Sequence, residues 1–252
     1  MKKTLTRILV LSLFFGATWS AQAQEITVSA AASLTNAFTD IAKNFEKANP
    51  QHRVLLNFAG SGVLLQQIAK GAPVDIFASA DSFTMNQASA KNLIVENSRF
   101  DFVANSLVVI SAVNSPLKLT QLKDLTKKEV QRLALGNPDS VPVGRYSKTV
   151  LEQEKLWPEL ENKIIQTQNV RQSLDYVARG EVDAGFVYAT DAALMADKVQ
   201  VRFSVPTSEA ILYPISLTQT GKANSAAQDF LIYLKSSDSM KVFKQYGFSA
   251  AN

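Results

Sequence analysis

The chain has 252 residues, with 26 basic and 22 acidic side chains, one histidine and no cysteine. The lack of cysteine and the single histidine exclude the common zinc sites. No block of Lys and Arg with interleaved aromatic residues is present, which argues against nucleic-acid binding. The length allows one large lobe or two medium lobes, each with a buried core.

The N-terminus has the composition of an export signal. Lys2, Lys3 and Arg7 precede an apolar run over 8–19, and Ala21-Gln22-Ala23 follows with the small-x-small pattern of a cleavage site. We predict a signal peptide over 1–23, cleaved after Ala23, and a periplasmic mature protein. An uncleaved anchor is the alternative, although the apolar run is short for a bilayer. Cleavage removes three of the 26 basic residues, which leaves a net charge near +1.

The first part of the chain alternates strand and helix patterns. Strands are predicted over 26–30, 54–58 and 74–78. A helix follows Ser33 and stops at Asn49-Pro50, a short helix follows Ser61, and Asp81 is placed to cap a third. Strand, helix and strand at these spacings indicate parallel βαβ units.

A second, similar run follows. It predicts strands over 107–110, 133–135 and 184–188 and helices over 144–154 and 170–178. A strand over 213–217 and helices over 225–234 and 239–246 end the chain. We expect short crossovers near Asn105-Ser106 and Leu212-Tyr213, which gives lobe I over 24–104 plus 214–252 and lobe II over 105–213.

Two turns in the first half resemble each other. In each, a strand ends in small residues and a serine before a helix, at Ser33 and at Ser61. The carboxyl ends of parallel strands are where such folds bind ligands. Helix starts with free N–H groups and a hydroxyl donor predict an anion site without Lys or Arg. The alternative for each serine is ordinary helix capping.

The second half offers matching donors. Turns open helices near Val143 and at Val170, and Tyr188 ends a predicted buried strand, where its hydroxyl is a candidate donor to a cleft. The alternative for Tyr188 is a hydroxyl bonded to backbone at the edge of the core. Arg145 is predicted to face solvent, because long cations keep their charged ends in water.

Several segments together resemble the periplasmic molybdate-binding proteins of molybdate ABC transporters. The resemblance covers the mature chain and is carried by AAASLTNA at 30–37, FAGSG at 58–62, GAPVDIF at 71–77, VPVGRY at 141–146 and GFVY at 185–188. It implies an α/β fold of the two-lobed periplasmic binding protein class (type II). Each lobe would be a mixed, mostly parallel sheet flanked by helices, with the ligand in the cleft.

The resemblance also implies a site built from neutral donors. The ligand oxyanion would be held by the hydroxyls of Ser33, Ser61 and Tyr188 and by the backbone N–H groups of Val143 and Val170. Molybdenum or tungsten would be bound only as molybdate or tungstate, with no cofactor and no catalysis. The implied partner is an ABC permease, and the protein is expected to be a monomer.

One detail departs from the family pattern. Gly60 and Gly62 flank Ser61 where the family's second motif is richer in serine. We interpret these glycines as a tolerated variation.

Three other functions stay open at this level. Sulfate is also bound by neutral donors, and a ferric site needs ligands of which only Tyr188 is present at the expected site. A serine hydrolase would have to use His52, the single histidine, and no Gly-x-Ser-x-Gly motif occurs. His52 lies in a polar turn before a strand and is predicted to face solvent.

Overall fold

The computed structural model describes residues 24–251, so the predicted signal peptide lies outside the described residues. The first elements are β1 (Gln24–Ala31), α1 (Thr35–Ala48), β2 (His52–Ala59), α2 (Ser61–Ala69), β3 (Ile76–Ala78), α3 (Ser82–Ala90) and β4 (Phe100–Asn105). The middle elements are β5 (Leu107–Ala112), β6 (Leu133–Gly136), α4 (Pro142–Gln153), α5 (Trp157–Leu160), β7 (Ile164–Thr167), α6 (Val170–Ala178), β8 (Ala184–Tyr188), α7 (Ala189–Leu194) and β9 (Val199–Val205). The last elements are β10 (Ile211–Leu217), α8 (Ser225–Tyr233), α9 (Ser237–Gln245) and β11 (Ser249–Ala250).

The strands form two sheets, and each sheet is the centre of one lobe. The sheet of lobe I has the order β11-β4-β10-β3-β1-β2, and the sheet of lobe II has the order β7-β6-β8-β5-β9. The chain passes from lobe I to lobe II between Asn105 and Leu107 and returns before Ile211, where β10 begins to pair with β4. The α/β, two-lobed fold class is confirmed.

The two sheets contain more antiparallel strand pairs than the prediction of mostly parallel sheets implies. Among the described strands, β1 is parallel to β2 and β3, and β6 is parallel to β7 and β8, whereas the other neighbouring pairs are antiparallel. The reason is the crossing between lobes. The strands of the βαβ units end at the cleft, so β5 and β10, which enter a lobe from the cleft, must run the opposite way.

The helical patterns of the sequence correspond to real buried faces. In α1, Phe38, Ile41 and Phe45 are buried, as their helical spacing predicts, and the helix ends before Asn49-Pro50. The buried apolar side chains make one cluster that extends through both lobes and a smaller one under α2 and α3. Within residues 24–251, none of the helices is both long enough and apolar enough to cross a bilayer.

His52 does not face solvent, and that prediction is wrong. It is the first residue of β2, and its side chain is only 8% exposed. The imidazole stacks on the Phe45 ring with centroids 5.7 Å apart, and its Nε2 atom lies 3.7 Å from the carboxylate of Asp229. The turn is polar in sequence, but Phe45 of α1 stacks on the ring and Asp229 of α8 lies beside it.

Candidate functional site

A small cavity between the lobes contains all five residues predicted to bind ligand. Ser33, Ser61, Val143, Val170 and Tyr188 line it, and Asn169 together with small or apolar residues completes the wall. None of the residues that line it is charged. The space open to the centre of a water molecule is about 10 Å³, which is close to the minimum for one water.

The five residues come together because each follows a strand that ends at the cleft. Ser33 and Ser61 follow β1 and β2, Val143 and Val170 begin the helices that follow β6 and β7, and Tyr188 is the last residue of β8. The carboxyl ends of parallel strands meet at one edge of a sheet. Because the two sheets face each other across the cleft, the two sets of donors lie in one cavity.

The Ser61 hydroxyl is arranged to donate into the cavity. Ser61 is the first residue of α2 and is fully buried. Its Oγ accepts a hydrogen bond from the backbone N–H of Ala80 at 3.0 Å, and it does not cap its own helix. A hydroxyl that already accepts from behind has its own hydrogen available for a ligand. The capping alternative for Ser61 is therefore wrong.

Ser33 has a similar arrangement. It lies in a single turn of 3-10 helix (Ala32–Leu34) between β1 and α1, and its side chain caps neither helix. Its Oγ lies 3.0 Å from the hydroxyl of Tyr213, and both residues are buried. The capping alternative is wrong here too.

Val143 and Val170 present backbone N–H groups rather than side chains. Val143 is the second residue of α4, after Pro142, and Val170 is the first residue of α6. The first N–H groups of a helix have no partner within it. Asn169 caps α6 by accepting from Gln172 N, which is a different N–H group from that of Val170. The N-terminal ends of two helices therefore direct donors and partial positive charge into the cavity.

Tyr188 supplies the third hydroxyl. Its side chain is buried, and among the described residues its oxygen has no hydrogen-bond partner. This excludes the alternative in which the hydroxyl bonds to the backbone. Burial, and then the proximity of Tyr213, Tyr146 and two carboxylates, raises the pKa of Tyr188 well above its usual value. The phenol is therefore neutral and can donate.

Arg145 bridges the two lobes, so the prediction that it faces solvent is wrong. From α4 in lobe II it forms an ion pair with Asp81 in lobe I, with Nη2 and Oδ2 2.8 Å apart. It also donates to the Thr84 hydroxyl at 2.7 Å. Asp81 caps α3 as predicted, by accepting from Thr84 N. The pairing compensates the negative charge of Asp81, which follows Ala80 of the cavity wall, and the guanidinium lies 4.9 Å from the centre of the Phe83 ring.

A second interlobe bridge was not predicted. Arg171, next to Val170, pairs with the buried Asp191 of its own lobe at 2.5 Å and donates to the Asn36 side chain and the Ser33 carbonyl of lobe I. Burial raises the pKa of Asp191 to about 6, and Arg171 partly opposes that rise. The sequence contains only a weak signal for this pair, namely an arginine in the first turn of a helix that reaches the cleft.

Gly60 and Gly62 are required by close contact between the lobes, which revises their interpretation as a tolerated variation. Gly62 N donates to the carbonyl of Ser140 in lobe II at 2.9 Å. A Cβ atom on Gly62 would lie 2.7 Å from that carbonyl oxygen, and one on Gly60 would lie 2.8 Å from the carbonyl oxygen of Gln168. Only glycine permits this approach without displacement of backbone.

Comparisons with known proteins agree with this architecture. A family model described as bacterial extracellular solute-binding protein matches residues 26–249. The molybdate-binding protein ModA of Haemophilus influenzae is 36% identical, over 98% of this chain and 99% of its own length. ModA of Escherichia coli is 37% identical, over 95% of this chain and 97% of its own.

Solved structures show the same fold. The periplasmic molybdate-binding protein of Azotobacter vinelandii superposes with a TM-score of 0.79 at 24% identity, over 90% of this chain and all of that one. The sulfate-binding protein SubI of Mycobacterium tuberculosis superposes with a TM-score of 0.78 at 14% identity, over 91% of this chain and 88% of that one. At such identities the similarity concerns the fold alone.

Proposed function

Because the chain belongs to the family of bacterial extracellular solute-binding proteins, we propose that it binds molybdate or tungstate between its lobes and delivers the ion to an ABC permease. The observation that carries this proposal is the cavity itself. Three hydroxyls and two helix N-termini face one small space whose wall has no charged side chain. The unpartnered hydroxyl of buried Tyr188 is the donor that most needs a ligand.

The chemistry of the donors favours a fully deprotonated dianion. Donors around a tetrahedron satisfy the ligand oxygens, and the helix dipoles offset the loss of hydration. A protonated ligand such as hydrogen phosphate would need an acceptor, for which a carboxylate is the usual choice. Asp81 follows Ala80 of the cavity wall, and its carboxylate is already bound to Arg145 and to the start of α3.

We also propose that the protein is exported and acts in the periplasm. The signal pattern at Ala21-Gln22-Ala23 supports export, cleavage and a periplasmic product. We propose a monomer on the resemblance to the molybdate-binding family alone. The ligand would be the oxyanion alone, with no cofactor. Intact-mass analysis of the exported protein tests the cleavage, with a mature N-terminus at Gln24 as the expected result and retention of Met1 as the contrary one.

The ligand is tested by calorimetric titration of residues 24–252 with molybdate, tungstate, sulfate and phosphate. We expect one-to-one binding of molybdate and tungstate, with sulfate at least about a hundredfold weaker, a difference of about 2.7 kcal/mol. Tighter binding of sulfate would replace the assigned ligand and keep the oxyanion site. Binding of none of the four anions would overturn the proposed function.

Tyr188→Phe tests the site directly. Loss of a hydrogen bond to a charged group costs about 1.5–3 kcal/mol, so molybdate affinity should fall between about tenfold and a hundredfold. Stability without ligand should stay equal or rise, because an unpartnered buried hydroxyl is removed.

The matched control is Tyr246→Phe, which removes a hydroxyl bonded to Asp40 at 2.6 Å in lobe I, outside the cavity wall. Its affinity for molybdate should equal that of the wild type. Equal affinities of the wild type and Tyr188→Phe would remove Tyr188 from the site.

A further inference from the structure

The hydroxyl oxygens of the two cavity serines have different hydrogen-bond partners. The Oγ of Ser61 accepts from the backbone N–H of Ala80. That donor cannot reverse its role, because an amide N–H only donates. The Oγ of Ser33 instead faces the hydroxyl of Tyr213, at 3.0 Å, and either oxygen is able to donate in such a pair. The role of Ser33 toward a ligand therefore depends on which way this bond runs.

Asn105 decides the direction. Its Oδ1 accepts from the backbone N–H of Ser106 at 2.9 Å, so the amide can have only one orientation. The Nδ2 group then donates to the hydroxyls of Thr190 at 2.8 Å and of Tyr213 at 3.2 Å. Because Nδ2 cannot accept, the hydroxyl of Tyr213 must be the acceptor in that contact.

The hydrogen of the Tyr213 hydroxyl then has one good partner, the Oγ of Ser33. Tyr213 is fully buried, and burial raises its pKa well above the usual value, so the hydrogen is retained. If Ser33 donated to Tyr213, the phenol hydrogen would be buried without an acceptor, which is unfavourable. Donation from Tyr213 to Ser33 satisfies both groups and leaves the serine hydrogen for the cavity.

We propose that Tyr213 is a positioning residue that, held by Asn105, makes Ser33 a donor to the bound anion. This inference rests on the proposed function, since it concerns how that site binds. Tyr213 donates a hydrogen bond to the Oγ of Ser33, as the Ala80 N–H group does to the Oγ of Ser61. The two hydroxyls of lobe I are thereby both oriented before the ligand arrives, which lowers the entropy cost of binding.

Tyr213→Phe removes the hydroxyl and retains the ring. The ring contacts that of Phe248 with centroids 5.5 Å apart and that of Tyr188 at 5.9 Å, and phenylalanine preserves both contacts. The melting temperature without ligand should therefore stay within about 4 °C of the wild type. The experiment compares molybdate affinity in the wild type, Tyr213→Phe, Ser33→Ala and the double variant, with Tyr246→Phe as control.

We expect Tyr213→Phe to weaken molybdate binding by about tenfold, which is about 1.4 kcal/mol. In the Ser33→Ala background the same substitution should have no further effect, because Tyr213 acts through the serine hydroxyl. A merely structural role would weaken binding equally in both backgrounds. That result, or an unchanged affinity of Tyr213→Phe beside tight wild-type binding, would overturn the inference and leave the proposed function standing.

Asn105→Ala provides a second test in which Tyr213 is kept. Without the Asn105 donor, the hydroxyl of Tyr213 is no longer held in its direction toward Ser33, so binding should weaken by about threefold. This loss should also vanish in the Ser33→Ala background, and its persistence there contradicts the inference. Absence of molybdate binding by the wild type overturns the proposed function, and the inference with it.

Discussion

At the scale of single residues, the close approach of the lobes depends on two glycines, which have no side chain. Gly62 lies at the start of α2, where its N–H group reaches the Ser140 carbonyl across the cleft. A Cβ atom on the neighbouring Gly60 would lie 2.8 Å from the carbonyl oxygen of Gln168. Any side chain here would separate the lobes at the point where the donors of the two halves must meet.

Gly62→Ala should therefore weaken the closed state without harming the fold. The added methyl group would lie 2.7 Å from the Ser140 carbonyl oxygen, so we expect molybdate affinity to fall by at least about tenfold. Stability without ligand should hold or rise, since alanine favours a helix over glycine by about 1 kcal/mol. Calorimetric titration and urea unfolding measure the two effects.

Gln66→Ala is the control for helix propensity, because Gln66 is exposed on the same helix. It should leave affinity unchanged. An unchanged affinity of Gly62→Ala would show that the lobes do not need this contact to bind.

At the scale of an element, the short 3-10 helix Leu122–Thr126 depends on one carboxylate. Asp124 accepts from Thr120 N at 2.8 Å and from Gln121 N at 3.2 Å, and it pairs with Lys127 at 2.8 Å. The bond to Lys127 and then those to Thr120 hold the pKa of Asp124 well below its usual value of 3.8. A carboxylate with a lowered folded-state pKa stabilises the fold above its unfolded pKa, and this contribution is lost as the pH falls below it.

Asp124→Asn should lower the free energy of unfolding by about 1 kcal/mol at pH 7, a value kept small by solvent near the pair. The deficit should shrink as the pH falls from about 4 toward 2, because the Asp124 carboxylate of the unfolded wild type binds a proton in this range and folding must release it. Urea unfolding at pH 7 and pH 3 measures the difference in the free energy of unfolding between the wild type and Asp124→Asn. Asp197→Asn, at an exposed residue, is the control. A deficit of the same size at both pH values contradicts the assignment.

At the scale of the whole molecule, charged bridges cross the cleft around the neutral cavity. Arg145 joins α4 of lobe II to Asp81 and Thr84 of lobe I. Arg171 joins α6 of lobe II to Asn36 and the Ser33 carbonyl of lobe I. A contact made only when the lobes meet stabilises the closed form relative to the open one. We therefore expect both bridges to slow the release of the ligand.

Arg145→Gln should raise the rate of ligand release and lower the affinity for molybdate by about tenfold. Part of the loss should come from Asp81, which is left without its partner beside an anion. Adding Asp81→Asn should then recover some of the affinity. Stopped-flow release rates and the radius of gyration without ligand are the measurements.

Lys148→Gln is the matched control on the same helix, because Lys148 contacts Glu152 at 3.7 Å and the ring of Trp157 at 5.0 Å, both within lobe II. It should leave release unchanged. An unchanged rate for Arg145→Gln would show that the bridge does not stabilise the closed form.

The local patterns of the sequence were sufficient for the elements with a strong period and for the small-residue turns. The burial of Phe38, Ile41 and Phe45 follows from helical spacing, and the extent of α6 agrees with its amphipathic pattern. Strand β9 was missed, although its apolar residues Val199, Val201, Phe203 and Val205 alternate with polar ones, which is the period of a strand. The five site residues could be named from strand ends and family resemblance, and their binding of a ligand stays a prediction.

The sequence by itself determined which donors this protein has, because serines at helix starts, free helix N–H groups and a tyrosine at a strand end are local features. Only the tertiary structure decided what surrounds them. Arg145 and His52 were expected to face solvent, but the packing of elements gave Arg145 a partner in the other lobe and stacked His52 on Phe45 of α1. Tyr213 lies 180 residues from Ser33, its partner. Such contacts depend on how the two sheets face each other, and the local periodicity of the sequence contains no information about that arrangement.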